Sequence, residues 1–267
     1  MKPQSVLIAV VVLALWAAGC APAAPAGTVD LNVFAAASLT EAFEEIGAQF
    51  EAGHPGVTII FNFAGSQQLA QQISEGAPAD VFASANTHQM EVVIEAGLVA
   101  RSSPQTFAHN RLVVIYPQDN PGDLAALPDL AKPGLKLVFA SPQVPVGQYT
   151  LEFLDKVRGK AGFEATYKDD VLQNVVSYED NVRAVLTKVA LGEADAGMVY
   201  ASDISGTEAS QVGRLDIPDA VNVIAAYPIA AVTAARQPEL AQAFIDLVLS
   251  AEGQATLAEH NFVPAAP

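Results

Sequence analysis

An α/β protein in two lobes, with mostly parallel sheets, follows from three features of this 267-residue chain. Apolar runs of strand length alternate with amphipathic segments of helix length from end to end. Glycines stand where helices should stop, at Gly76, Gly97 and Gly192. The alternation falls into two units, one over about residues 29–108 and one over about 111–225, with helical sequence left over at the C-terminal end.

Taken in order, Leu31–Ala36 reads as a strand and Leu39–Glu51 as a helix. Ser38 and Glu41 have the spacing of a capping box, which starts that helix at Ser38. Val57–Phe63 is a strand, Gln67–Glu75 a helix, Val81–Ala83 a short strand and Thr87–Ala96 a helix. Leu112–Tyr116 and Leu137–Ala140 are strands on either side of a loop rich in Pro and Asp. Gly147–Lys160 reads as a helix, Val171–Val176 as a strand, Asn181–Leu191 as a helix and Gly197–Tyr200 as a strand. Val221–Ala225 and Ile229–Thr233 read as two strands around Pro228, and Pro238–Ser250 and Glu252–His260 as closing helices. The closing helices are expected to pack on the first unit. The chain then crosses near His109–Arg111 and Tyr227–Pro228, giving lobe I from 29–108 plus 228–267 and lobe II from 109–227. A hinged protein of this kind binds its ligand between the lobes, outside the carboxyl ends of the strands.

Residues 1–20 read as an export signal: Lys2 supplies charge and Val6–Ala18 an uncharged apolar stretch too short to span a bilayer comfortably. Ala17-Ala18-Gly19-Cys20 resembles a lipobox, and Cys20, the only cysteine, has no internal disulfide partner. Lipidation at Cys20 is the favoured reading, with residues 21–28 as a tether; an ordinary signal cut near Ala24 or Ala26 is the alternative. The formal charge of -16 excludes nucleic acid as a natural partner.

Four helix starts are candidate binding turns: Ser38, Gly65-Ser66-Gln67-Gln68, Pro145-Val146-Gly147-Gln148 and Asp180-Asn181-Val182-Arg183. Any one of them is ordinary capping on its own, with Ser66 as an expected N-cap and Asp180 as an expected cap of its helix. Two Ser-bearing turns after strands of the same lobe tip the balance toward an anion site built from helix N-termini. Tyr200, at a strand end, can add its hydroxyl. Donors without carboxylates suit a fully deprotonated dianion such as sulfate, molybdate or tungstate; phosphate keeps a proton near neutral pH and needs an acceptor.

The chain resembles the periplasmic molybdate-binding proteins of ABC importers. The likeness lies in Val33-Phe34-Ala35-Ala36-Ala37-Ser38-Leu39-Thr40, Phe63-Ala64-Gly65-Ser66 and Gly76-Ala77-Pro78-Ala79-Asp80-Val81-Phe82. Further matches are Val144-Pro145-Val146-Gly147, Glu179-Asp180-x-Val182-Arg183 and Gly197-x-Val199-Tyr200. The resemblance implies a two-lobed, type II-like periplasmic-binding-protein fold and an oxyanion, molybdate and also tungstate, held by Ser38, Ser66, Val146, Val182 and Tyr200. Val146 replaces a frequent Ala, Asn181 is an added residue and Gly65 stands where some members have Ser. The resemblance further implies no cofactor, no side chain bound directly to the metal, a monomer, ABC importer membrane subunits as partners, and membrane contact only through the lipid anchor.

Two rivals stand beside that reading: a same-fold binder of sulfate or another small solute, and an enzyme of the periplasmic-binding type. The candidate turns hold no acid, base or activated nucleophile, and no Gly-x-Ser-x-Gly occurs. His54, His88, His109 and His260 are scattered without metal-ligand spacing. Met90 and Met198 read as core, Glu44 and Glu45 as a solvated helix face, and Arg183 as one side of an ion pair.

Overall fold

A computed structural model describes residues 28–205 and 210–265 of the chain. The export signal, Cys20 and most of the tether lie outside the described residues. The strands are β1 (Val29–Ala36), β2 (Val57–Ala64), β3 (Val81–Ala83), β4 (Gln105–Pro117), β5 (Leu137–Ala140), β6 (Val175–Glu179), β7 (Ala196–Tyr200), β8 (Val212–Asp216), β9 (Ile224–Ala231) and β10 (Val263–Pro264). The α-helices are α1 (Thr40–Gly53), α2 (Ser66–Ser74), α3 (Thr87–Glu95), α4 (Pro145–Val157), α5 (Tyr167–Gln173), α6 (Val182–Ala190), α7 (Pro238–Leu249) and α8 (Ala251–Glu259).

The strands form one mixed path, β2-β1-β3-β9-β4-β7-β5-β6, with β8 and β10 also pairing with β4. Pairing is parallel at both flanks, in β1 with β2 and β3 and in β5 with β6 and β7. In the middle, around β4 and β9, every pairing is antiparallel. The sheet is therefore mixed, because two chain crossings in opposite directions run through its centre. The first half of β4 pairs with β9, and its second half with β7 and β8. One long strand thus joins the two halves of the fold.

The inner parallel strands β1 and β5 are largely buried on both faces, which explains their apolar runs, while the edge strands β2 and β6 stay partly exposed. Leu31, Val33 and Ala35 of β1 and Leu137, Val138 and Phe139 of β5 are all buried. The closing helices pack on α1, where Phe244 meets Phe43 and Phe50 edge-on at 5.7 and 5.6 Å between ring centroids. Asp80 ties this end together. Its buried carboxylate accepts N–H from Asn32 (2.8 Å), Arg236 (2.6 Å) and Gln237 (3.1 Å). It joins the middle of β1 to the turn that leads into α7.

Several elements differ from the sequence-based expectation, and β8 and β10 have no counterpart in it. Residues assigned to a strand over Val171–Val176 divide into the end of α5 and the start of β6, since Val171 faces the core from a helix while Val175–Glu179 pairs with β5. The strand expected over Leu112–Tyr116 begins seven residues earlier, at Gln105, and the polar residues His109 to Arg111 interrupt its apolar pattern. The two strands expected around Pro228 are the single strand β9. Proline is tolerated there because the β4–β9 register shifts between Thr106 and Ala108, opposite it. Met90 and Met198 are buried in the core as expected.

Candidate functional site

Four helix N-termini and one strand end converge on a single narrow pocket. Ser38, Ser66, Val146, Val182 and Tyr200 all line it, each no more than 4% exposed. The remaining wall is Ala, Gly, Val, Pro and Asn, with no charged side chain.

The local structure of each turn explains what it offers. Ser38 is the middle residue of a 3-10 turn, Ala37–Leu39, that precedes α1. It does not cap α1, and Glu41 forms no capping box with it, because the tight turn displaces the serine from the helix amides. Ser38 Oγ instead lies 2.9 Å from Tyr227 Oη, and Glu41 pairs with Arg183 of α6 at 2.7 Å. Ser66 is likewise inside its helix, not capping it. Gly65 is the N-cap, its N–H donated to Gln68 Oε1 at 3.1 Å, while Ser66 Oγ accepts the Ala85 N–H at 3.0 Å.

Pro145 opens α4, where its missing N–H is no loss, and Val146 follows with an amide in the first turn. Asn181, not Asp180, caps α6: its Oδ1 accepts the Ala184 N–H at 3.0 Å. The added residue thus closes the helix end and leaves Val182 as the first helical residue at the pocket. First-turn amides of these helices have no carbonyl four residues behind them, and the helix dipoles add positive potential at the same place.

Tyr200 ends β7, its ring wedged edge-on against Tyr149 and Tyr227 at 6.5 and 5.8 Å. Its hydroxyl is buried and makes no hydrogen bond of ordinary geometry among the described residues, Tyr227 Oη being its polar neighbour. Burial, then the neighbouring Tyr227, Tyr149 and Asp203, raise its pKa well above the usual tyrosine value, so it stays protonated and can donate. A buried hydroxyl without a partner is costly unless a ligand meets it.

The two sides of the pocket touch at its rim. Gln67 Nε2 donates to Asp180 O at 2.8 Å, and Asn86 Nδ2 to Gln148 Oε1 at 2.8 Å. A Cβ on Gly65 would stand 2.6 Å from Asp180 O, so only glycine permits this approach. Gly147 has a similar constraint against Ser141 O, at 2.1 Å. Tyr227, Asn110 and Asp203, all buried near these groups, have no local sequence signal as site residues. Ser38 and Tyr227 are 189 residues apart, and only the fold unites them.

Among the described residues, no group of three or more His, Cys, Asp or Glu side chains could hold a metal ion. No helix among them is long and apolar enough to cross a membrane. The arrangement presents hydrogen donors and helix dipoles to the pocket.

Comparison with known proteins agrees with this architecture. Residues 31–263 match the family described as bacterial extracellular solute-binding protein. The molybdate-binding protein ModA of Mycobacterium tuberculosis (strain H37Rv) is 42% identical over 242 residues, 90% of this chain and 87% of that protein. Among solved structures, the periplasmic molybdate-binding protein of Azotobacter vinelandii superposes with a TM-score of 0.75 at 21% identity, covering 88% of this chain and 100% of the other. The sulfate-binding protein SubI of M. tuberculosis H37Rv superposes with a TM-score of 0.80 at 18% identity, covering 90% and 88%. At these identities the two superpositions speak for the fold.

Proposed function

The chain belongs to the family of bacterial extracellular solute-binding proteins, and on that premise we propose that it captures molybdate outside the cytoplasm for delivery to an ABC importer. The observation that carries the reading is the uncharged pocket into which four helix starts and the unpartnered Tyr200 hydroxyl converge. Ser38 and Ser66 bind with hydroxyl and amide groups, Val146 and Val182 with backbone N–H, and Tyr200 with its hydroxyl. Such a cage offers only donors, which suits a dianion that only accepts. Molybdenum is held as part of its oxyanion, without a protein ligand, and tungstate fits by the same chemistry.

Residues 29–108 with 228–267 form one lobe and 109–227 the other, hinged where β4 and β9 cross. The anion gains its full donor set only when the lobes meet, so binding stabilises the closed state. The Glu41–Arg183 pair, the Gln67–Asp180 bond and the Asn86–Gln148 bond support closure. The importer's membrane subunits recognise that state. The protein is a monomeric carrier without a chemical step, exported and anchored through a lipid on Cys20.

A thermal-shift screen tests the ligand class. Molybdate and tungstate should raise the melting temperature at concentrations where phosphate does not. Protection by sulfate alone would assign the site to sulfate, and protection by phosphate alone would remove the donor-only reading.

A further inference from the structure

A serine hydroxyl can meet a ligand as donor or as acceptor, and the surroundings of Ser38 decide between the two. Ser38 Oγ and Tyr227 Oη are 2.9 Å apart and both buried, and either could donate on distance alone. Asn110 breaks the tie. Its Oδ1 accepts the Arg111 N–H at 2.9 Å and its Nδ2 donates to Ser202 Oγ at 2.8 Å, which fixes the orientation of the amide. The same Nδ2 reaches Tyr227 Oη at 3.4 Å, and an NH₂ group can only donate.

Tyr227 therefore receives a hydrogen from Asn110. Its own hydrogen goes to Ser38 Oγ at 2.9 Å, because Tyr200 Oη, the other acceptor beside it, makes no hydrogen bond of ordinary geometry. The ring cannot swing away, being packed edge-on against Phe107 (6.3 Å), Tyr200 (5.8 Å) and Phe262 (5.4 Å). The Ser38 hydrogen then has the pocket as its outlet. Ser66 is treated alike by a backbone group, because its Oγ accepts the Ala85 N–H at 3.0 Å and so keeps its hydrogen for the pocket.

We propose that Asn110 and Tyr227 are positioning residues that fix Ser38 as a hydrogen donor, so that the site accepts fully deprotonated oxyanions and rejects those that carry a proton. The proposal deepens the molybdate reading and rests on it. A ligand P–OH aimed at Ser38 would find a hydrogen facing a hydrogen. Selectivity against phosphate is thus set behind the serine, by groups that never touch the ligand.

The test is a double-mutant cycle by calorimetry, with molybdate and inorganic phosphate as probes. Tyr227→Phe keeps the ring and deletes the relay; it should weaken molybdate about tenfold and narrow the molybdate-to-phosphate ratio. In a Ser38→Ala background the same change should have no further effect, because Tyr227 acts through Ser38. Asn110→Leu, which removes the donor and leaves Tyr227 in place, is the second variant and should show the same loss of effect. Equal losses with and without Ser38 would mean that both residues act by packing, and an unchanged ratio in Tyr227→Phe would likewise overturn the proposal. If Ser38→Ala itself leaves molybdate affinity intact, the pocket assignment fails together with it; if only Ser38→Ala weakens binding, the relay alone fails.

Discussion

Replacing Asp203 by Asn should make the protein more stable above neutral pH and remove part of its pH dependence. Asp203 closes the 3-10 turn Ala201–Asp203 that follows Tyr200, and it is fully buried. Its Oδ2 accepts the Tyr200 N–H at 2.8 Å, while Oδ1 meets no partner among the described residues. Burial pushes the carboxyl up to about 7; the Tyr200 N–H and the Arg183 charge pull the other way, and Glu41 adds to the rise. The folded state therefore binds this proton more tightly than the unfolded chain does. The stabilisation is fully present below the ordinary Asp value of 3.8 and is lost as pH rises through about 7. The gap corresponds to roughly 4 kcal/mol at most, at about 1.4 kcal/mol per pH unit. Asparagine can still accept from Tyr200 N–H and has no charge to bury. Urea unfolding of both proteins from about pH 4 to 8 should show the variant gaining on the wild type as pH rises, by up to roughly that amount. A difference that stays constant over the range, or a wild type favoured increasingly toward high pH, would refute the assignment of a buried, raised carboxyl.

Tyr200→Phe should leave the ligand-free protein as stable as the wild type or more so, since it removes an unpartnered buried hydroxyl, yet weaken molybdate binding by roughly 10- to 100-fold. Calorimetry beside chemical denaturation reads both effects. Asp80→Ala should destabilise the fold by about 3 kcal/mol or more, because it strands the amides of Asn32, Arg236 and Gln237, and equilibrium unfolding measures it. Gly65→Ala places a methyl 2.6 Å from Asp180 O and should reduce molybdate affinity by about tenfold or more with α2 intact by circular dichroism; unchanged affinity would show that the two sides need not approach so closely.

Much of this was legible in the chain before its structure, and the parts that were not share a physical cause. β1, β3, β5 and β7 stand out because buried parallel strands are continuous apolar runs, and the helices between them end in glycine at Gly76, Gly97 and Gly192. Central strand β4 was foreshortened because His109, Asn110 and Arg111 carry polar work between the two halves, which hides its period. β9 was split because a proline in a strand normally argues against one, and the bulge that excuses it lies on another strand. Local sequence supplied the candidate turns and Tyr200 at a strand end, the family resemblance assigned the five residues, and the fold brings all five together. What each serine does was not legible. The capping box assigned to Ser38 and Glu41 has the right spacing, but Tyr227 and Arg183, both distant in sequence, outcompete the helix amides for those side chains.

The central claim is that one oxyanion sits among Ser38, Ser66, Val146, Val182 and Tyr200. Crystals grown with molybdate and measured with X-rays near the molybdenum absorption edge test it most directly. A single anomalous peak in the pocket, with its oxygens about 2.7–3.1 Å from the hydroxyls of Ser38, Ser66 and Tyr200 and the amides of Val146 and Val182, is the predicted result. A peak elsewhere, or one in the pocket contacted by side-chain carboxylates or histidines, would contradict it.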